Sequence, residues 1–338
     1  MKKFLIFALI FFALVLVFFH FRKKPAVQVA QPGSKSGQVQ NLPAINGLLV
    51  NPDLAARRPI AVMVENHPDA RPQSGLTDAD LVYETLAEGG ITRFMAVYQT
   101  QKSPNIGPVR SARVYFADFA NELGAVYAHV GGNSDALANI RANVYNNISD
   151  ADQFFNDPYF HRIKSRFAPH NVYTSTDKLK ALMAAHKYDD QATFRSWLFK
   201  DDAAAATSSA STINIDFSQP SFAVAWHYNR TDNSYKRFLA GKPHKDLDIG
   251  KQITAKNIIV QFVNISPSQT DTILSINMDL VAGGKAKIFL DGKETDALWK
   301  KQTDDRTRYY TLDGNEISFN RGATWIEIVP VDRPVTWQ

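Results

Sequence analysis

The chain has 338 residues, 45% of them hydrophobic, with 38 Lys and Arg against 33 Asp and Glu. Lys2, Lys3, Arg22, Lys23 and Lys24 lie within residues 1–24, which carry no acid, so the other 33 basic side chains balance the 33 acidic ones and residues 25–338 are formally neutral. That distribution argues against nucleic-acid binding, which needs a basic surface, and the lack of cysteine excludes disulfides, thiol catalysis, Cys-ligated zinc and a thioacylated anchor.

Phe4 to Phe21 is an apolar run of eighteen residues broken only by His20. At ~1.5 Å per residue it reaches about 27 Å, enough for the bilayer hydrocarbon. A cleavage site is poorly formed, since Gln28 stands two residues before Ala30 and a basic triplet follows the apolar run. Residues 1–24 therefore read as an uncleaved signal anchor, a single-pass transmembrane helix, in preference to a removed signal peptide. Basic residues flank it on both sides, so the positive-inside rule does not fix its orientation. Residues 25–50, rich in Pro, Gly, Ser and Gln, read as a flexible linker.

Residues 51–205 mix strand and helix patterns. Pro59 to Val64 is a buried-strand pattern. Leu81 to Leu86 and Ile91 to Tyr98 form a hairpin pattern around Glu88-Gly89-Gly90. Pro108 to Leu123 has helical spacing, with Val109, Ala112, Phe116, Phe119, Ala120 and Leu123 on one face and Pro108 at the first position. Val126 to Val130 follows as a strand, Ser134 to Asn143 as a helix, and Ser175 to His186 as a helix capped by Ser175 or Thr176. After a break at Asp201 to Ser211, residues 206–338 carry short strand patterns separated by Gly283-Gly284, Asp291-Gly292 and Asp313-Gly314. They run over Phe222–Tyr228, Asn257–Asn264, Ile273–Leu280, Ala286–Leu290, Arg308–Leu312, Glu316–Phe319 and Thr324–Val329. The expected class is α+β, a mixed α/β domain followed by a mainly antiparallel β domain.

Site chemistry concentrates between Arg58 and Arg113. A helix beginning at Pro108 places Arg110 and Arg113 in its first two turns, where cations oppose the dipole by roughly 0.3–1 kcal/mol each. Either a bound anion or a carboxylate such as Glu65, Glu84 or Glu88 offsets them, and Arg93 joins either arrangement. Ser111 lies between them. Glu65-Asn66-His67 stands at a strand end before Pro68, and His170-Asn171 follows Pro169 in a turn. These nine residues (Arg93, Arg110, Ser111, Arg113, Glu65, Asn66, His67, His170, Asn171) are the candidate ligand-binding set. Glu84, Glu88 and His129 are the weaker candidates for proton transfer, with internal neutralisation as the competing role for the acids and a hydrogen-bonded core position for His129.

No HExxH or similarly tight spacing points to a metal, no nucleophile elbow surrounds Ser134, and no dinucleotide or Walker pattern calls for a cofactor. Lys242-Pro243-His244-Lys245-Asp246 reads as an exposed turn. Trp226, Trp299, Trp325 and Trp337 read as core residues, with sugar stacking as the alternative.

The segments RPIAVMVENHPDARPQSGL, ADLVYETLAEGGITRF, GPVRSAR, HVGG, APHNVY, KPHKD and GATWIEIVP, in order across residues 45–338, resemble the YerB-like family of bacterial envelope proteins. The resemblance implies a membrane-tethered extracytoplasmic protein of unassigned molecular function, with an N-terminal α/β domain and a distinct C-terminal one. Many members resemble lipoproteins; this chain lacks the lipobox cysteine, and residues 4–21 are expected to anchor it in the cytoplasmic membrane instead. The family supplies no catalytic residues. The residues themselves favour binding of an anionic envelope ligand such as a phosphate, lipid carrier or peptidoglycan carboxylate. A hydrolase or transferase on the same ligand class and a scaffold for other proteins are the alternatives.

Overall fold

The structure, a computed structural model, describes residues 40–268, 275–302 and 305–338. The anchor, most of the expected linker and the start of the 273–280 strand lie outside the described residues. Among the described residues no helix is long and apolar enough to cross a membrane. Residues 40–50 are built into the fold: Leu42–Pro43 pairs with Leu49–Val50, and Ala44 and Ile45 are fully buried.

The fold is mixed α+β. Its main strands are β1 (Ile60–Glu65), β2 (Leu81–Leu86), β3 (Thr92–Tyr98), β4 (Val126–His129), β5 (Ser149–Asp152), β6 (Thr212–Ile215), β7 (Val224–Asn229) and β8 (Ser234–Leu239). They continue with β9 (Asn257–Val263), β10 (Gly284–Leu290), β11 (Lys293–Lys300), β12 (Arg308–Thr311), β13 (Thr324–Pro330) and β14 (Val335–Trp337). The longer helices are α1 (Val114–Glu122), α2 (Ser134–Arg141) and α3 (Thr176–His186). Ser175 caps α3, its hydroxyl accepting from the Lys178 N–H.

Ten strands form one sheet in the order β12-β11-β10-β9-β13-β2-β3-β1-β4-β5. The sheet crosses the break at residues 201–211: β13 enters beside β2 in parallel register, Glu327 opposite Glu84. β6, β7, β8 and β14 make a second, antiparallel sheet, extended by short pairings at Lys242–Pro243 and Thr254–Ala255. The C-terminal strands thus divide between a sheet of their own and a share in the large one.

Both faces of the large sheet are covered, so its central strands are apolar throughout rather than alternating. Ile60, Val62 and Val64 enter one core with Leu179 and Leu182 of α3 and Trp226 and Tyr235 of the second sheet. Ala61 and Met63, pointing the other way, enter a second core with Phe116, Phe119 and Ala120 of α1. Each fully buried side chain of Phe116 size contributes about 1.5–3 kcal/mol. Trp226, Trp299 and Trp325 are buried, as core residues, while Trp337 is partly exposed.

One expectation fails at Pro108. The helix does not begin there but at Val114, with Arg113 in extended backbone just before it. Residues 107–112 are instead sewn into neighbouring strands. The N–H groups of Val109, Arg110 and Ala112 donate to the carbonyls of Val172, Met63 and Gly131. Once those donors are taken by tertiary partners, the segment cannot also close a helical turn, and its apolar spacing serves a two-sided strand-like strip. Arg110 therefore lies in no helix, and the dipole argument for an anion does not apply to it.

Candidate functional site

The hairpin carries the first charge cluster. Glu88 opens the turn, and Gly89 and Gly90 adopt the left-handed region that a Cβ disfavours. This delivers the Glu88 carboxylate to two arginines at once: Arg93 at 2.9 Å and Arg113 at 2.5 Å. Arg93 also donates to the Ser111 carbonyl at 3.0 Å, and Arg113 to its neighbour Ala112 at 2.6 Å. Burial raises the Glu88 carboxyl, but Arg93 and Arg113 outweigh it and hold the pKa near 2. Two of the expected ligand-binding arginines are thus committed to an internal carboxylate.

A second cluster lies under the sheets and is wholly buried. Arg237 of β8 reaches between β2 and β13, pairing with Glu84 and, at 2.7 Å, with Glu327. Its guanidinium carbon sits 4.2 Å from the ring centre of Trp325, 5.1 Å from Trp226 and 5.7 Å from Phe94. Glu327 also accepts from the Trp226 indole at 2.8 Å. Its second oxygen meets no hydrogen-bond partner. Burial first, and then the neighbouring Glu84, keeps the Glu327 carboxyl well above the ordinary range despite Arg237.

Around this centre, Asn66 donates to Thr92 at 2.7 Å and to Glu84 at 3.3 Å, and accepts from Arg71 and Gln73. His244 accepts from the Arg237 Nε at 3.1 Å and reaches Gln73 at 2.8 Å. Burial, with Arg237 and Arg71 nearby, drives His244 far below its usual pKa. Asp246 accepts from the Gly75 N–H at 2.7 Å. The KPHKD segment is therefore no free turn: His244 and Asp246 are buried and tie it to the loop at Gln73 and Gly75. Asn66 and Glu84, being fully buried in this network, do not face a ligand.

The open site lies beyond the carboxyl ends of β1, β4 and β5, which run parallel to one another, where sheets with parallel strands commonly leave a crevice. A cleft of about 510 Å³ is lined by Arg110, Ser111, Gly131, Gly132, Arg141, Phe154, Phe155, Arg162 and Pro169, among others. Gly131 has a left-handed φ of 57°, and a Cβ on it would stand 2.8 Å from the Phe154 ring. The Gly131 N–H donates to Asp152, which also caps the following turn at Phe154. His129, at the end of β4, is fully buried with Nδ1 2.8 Å from the Gly131 carbonyl and Nε2 2.9 Å from Asp150. Its ring holds the cleft floor and has no nitrogen free for a ligand.

Three guanidiniums border this cleft. Arg110 pairs with Glu65 at 3.1 Å. Arg162 donates to the neutral Asn171 amide oxygen at 2.7 Å. Arg141, in the last turn of α2, has no carboxylate partner among the described residues. Phe154 and Phe155 are 68% and 73% exposed, and Phe167, in the same loop as Arg162, is 91% exposed. The structure thus brings Arg110 and Ser111 to the cleft, with Asn171 behind Arg162, and places Glu65, His67 and His170 beside one another nearby. It takes Arg93, Arg113 and Asn66 out of the set. Arg141, Arg162 and the two phenylalanines were not singled out from the sequence. The Phe154-Phe155 pair between polar residues and the basic run His161-Arg162-Ile163-Lys164 were the available signals.

Two family models match the chain, the N-terminal domain of a protein of unknown function, DUF3048, over residues 45–189 and its C-terminal domain over residues 213–326. YerB of Bacillus subtilis strain 168, provisionally named a lipoprotein, is 34% identical over 288 residues, 85% of each chain. The crystal structure of B. subtilis YerB matches with a TM-score of 0.78 at 32% identity, covering 87% of this chain and 99% of that one. Sequence, domain order and fold agree, and the chain belongs to the YerB-like, DUF3048 family of envelope proteins whose molecular function is unassigned.

Proposed function

We propose that this protein is a membrane-tethered extracytoplasmic binding protein that holds an anionic cell-envelope ligand in the cleft between Arg110, Arg141 and Arg162. The observation that carries this reading is the gathering of three guanidiniums on one open cleft in which, among the described residues, only Arg110 has a carboxylate partner. Guanidinium forks suit phosphate and carboxylate oxygens, and the exposed Phe154 and Phe155 suit an attached apolar chain. A phosphorylated lipid carrier combines both features; wall polymers and peptidoglycan carboxylates share the anionic part. Residues 4–21 supply the tether as a single membrane span with residues 40–338 outside, in keeping with a relative named among lipoproteins. Binding is favoured over catalysis because Glu84, Glu88 and His129 are each engaged inside the protein, away from the cleft opening.

The test is calorimetric titration of the full chain in detergent with phosphate, pyrophosphate, short polyprenyl phosphates and wall fragments. Wild type should bind one of them, and Arg141→Ala/Arg162→Ala should lose that binding with its fold intact. Equal affinity in both proteins refutes the assignment, and no binding in either redirects the search to protein partners.

A further inference from the structure

We propose a transition-metal site, beside the anion cleft, formed by His67, Asp69 and His170. The three residues offer ligand atoms that all lie within 4.8 Å of one another. Their convergence is tertiary, since His67 caps the short turn after β1 while His170 comes from the 163–171 loop. The His67 and His170 rings stack with centroids 5.1 Å apart and planes 16° from parallel, so an ion shared in both ring planes requires one ring to turn. His67 Nδ1, 3.5 Å from Asp69 Oδ2, accepts from the Asp69 N–H at 3.3 Å, a bond that an ion on Nδ1 would replace.

The arrangement behind His170 points the same way. Glu65 Oε2 takes Nδ1 of His170 at 2.9 Å, which fixes the ring and leaves Nε2 as the lone-pair nitrogen. A carboxylate on the far nitrogen is the usual outer partner of a metal-binding histidine. The second Glu65 oxygen forms an ion pair with Arg110 at 3.1 Å, without hydrogen-bond alignment. Asp69 is 73% exposed at its side chain and can complete closure by a rotamer change. Two imidazoles and one carboxylate select zinc, nickel or cobalt over calcium or magnesium, which demand an all-oxygen shell. With three protein ligands at the surface, a coordination position stays open to solvent.

The experiment uses the full chain in detergent, produced without a histidine tag. Zinc is titrated calorimetrically, and cobalt by its visible absorption. One ion per chain is expected, with intense bands of four-coordinate cobalt that zinc abolishes and calcium leaves unchanged. His67→Ala and His170→Ala should each remove the bands, and Glu65→Gln should weaken binding by about 10–100-fold. Unchanged thermal midpoints of the two alanine variants without metal will show that folding is not the cause. Absence of saturable zinc binding, or cobalt spectra identical in wild type and both alanine variants, overturns the proposal.

Discussion

The sharpest quantitative consequence concerns the buried Glu84–Arg237–Glu327 cluster. Arg237 is fully buried, and it is the only cation paired with those two acids among the described residues. Replacing it in Arg237→Met leaves buried carboxyls without a counter-ion. Breaking a buried pair in this way costs about 3–5 kcal/mol, and losing the stack on Trp325 adds about 1 kcal/mol. At about 2 °C per kcal/mol for a chain of this size, the thermal midpoint should fall by about 8–12 °C. Glu327→Gln behaves differently. The amide oxygen keeps the bonds from Arg237 and Trp226, and the neutral NH₂ takes the place of the oxygen that has no partner. Its cost at pH 7 should stay below about 1 kcal/mol. The pH dependence carries the same signature. A carboxyl raised in the folded state binds its proton more tightly than the unfolded chain does, so its stabilising contribution is complete below the unfolded pKa of 4.5 and is lost as pH rises toward the folded value. Wild type should therefore lose stability across that window, and Glu327→Gln should flatten the loss. Thermal unfolding of the full chain followed by circular dichroism from pH 5 to pH 9 measures both effects. A Glu327→Gln penalty near that of Arg237→Met would show that the carboxyl is ionised and would refute the reasoning.

Glu88, held near pKa 2 by Arg93 and Arg113, gives the opposite pH sign: its contribution is present above the unfolded pKa of 4.5 and is lost as pH falls through 2. Glu88→Gln should cost about 2 kcal/mol at pH 7, reduced from the fully buried case because the carboxylate is partly exposed, and acid titration of unfolding should show a smaller drop than in wild type. His244, neutral in the fold, stabilises the protein above its unfolded pKa of 6.5 and ceases to do so as pH falls through the lowered folded value. His244→Asn should therefore lessen the acid sensitivity of the midpoint. Gly131→Ala should lose about 1 kcal/mol from its left-handed backbone and turn Phe154 aside, which denaturant unfolding and Phe154 side-chain resonances will report. Arg141→Ala/Arg162→Ala should leave stability within about 0.5 kcal/mol of wild type, because both side chains are exposed and neither has a carboxylate partner among the described residues.

Local patterning disclosed much of this architecture. The 81–98 hairpin, the strands at 60–65 and 126–129, and the helices beginning at 134 and 176 follow apolar period, turn glycines and a serine cap. Residues 107–113 did not, because an apolar strip pressed between two partners has the same residue types at the same intervals as one face of a helix. Nor could spacing alone show that β13 belongs beside β2, since parallel partners so far apart in sequence leave no turn between them. For the site, arginines in the sequence carry no mark of who neutralises them. Glu88 claims Arg93 and Arg113, and Arg141 and Arg162 are left at the cleft by geometry alone. The inward phase of Tyr235, Arg237 and Leu239 on β8 was readable and would have pointed to a buried guanidinium.

The insertion of β13 between β9 and β2 has a consequence for how the protein is made. Until Thr324–Pro330 leaves the ribosome, the sheet exists only as two incomplete halves, each with an open backbone edge. The second sheet waits longer still, for β14 at Val335–Trp337. The nascent chain therefore cannot finish one half and then the other. It must be kept from pairing with its neighbours until β13 and β14 have emerged, and loss of those strands would leave a sticky, half-closed product for quality control to remove.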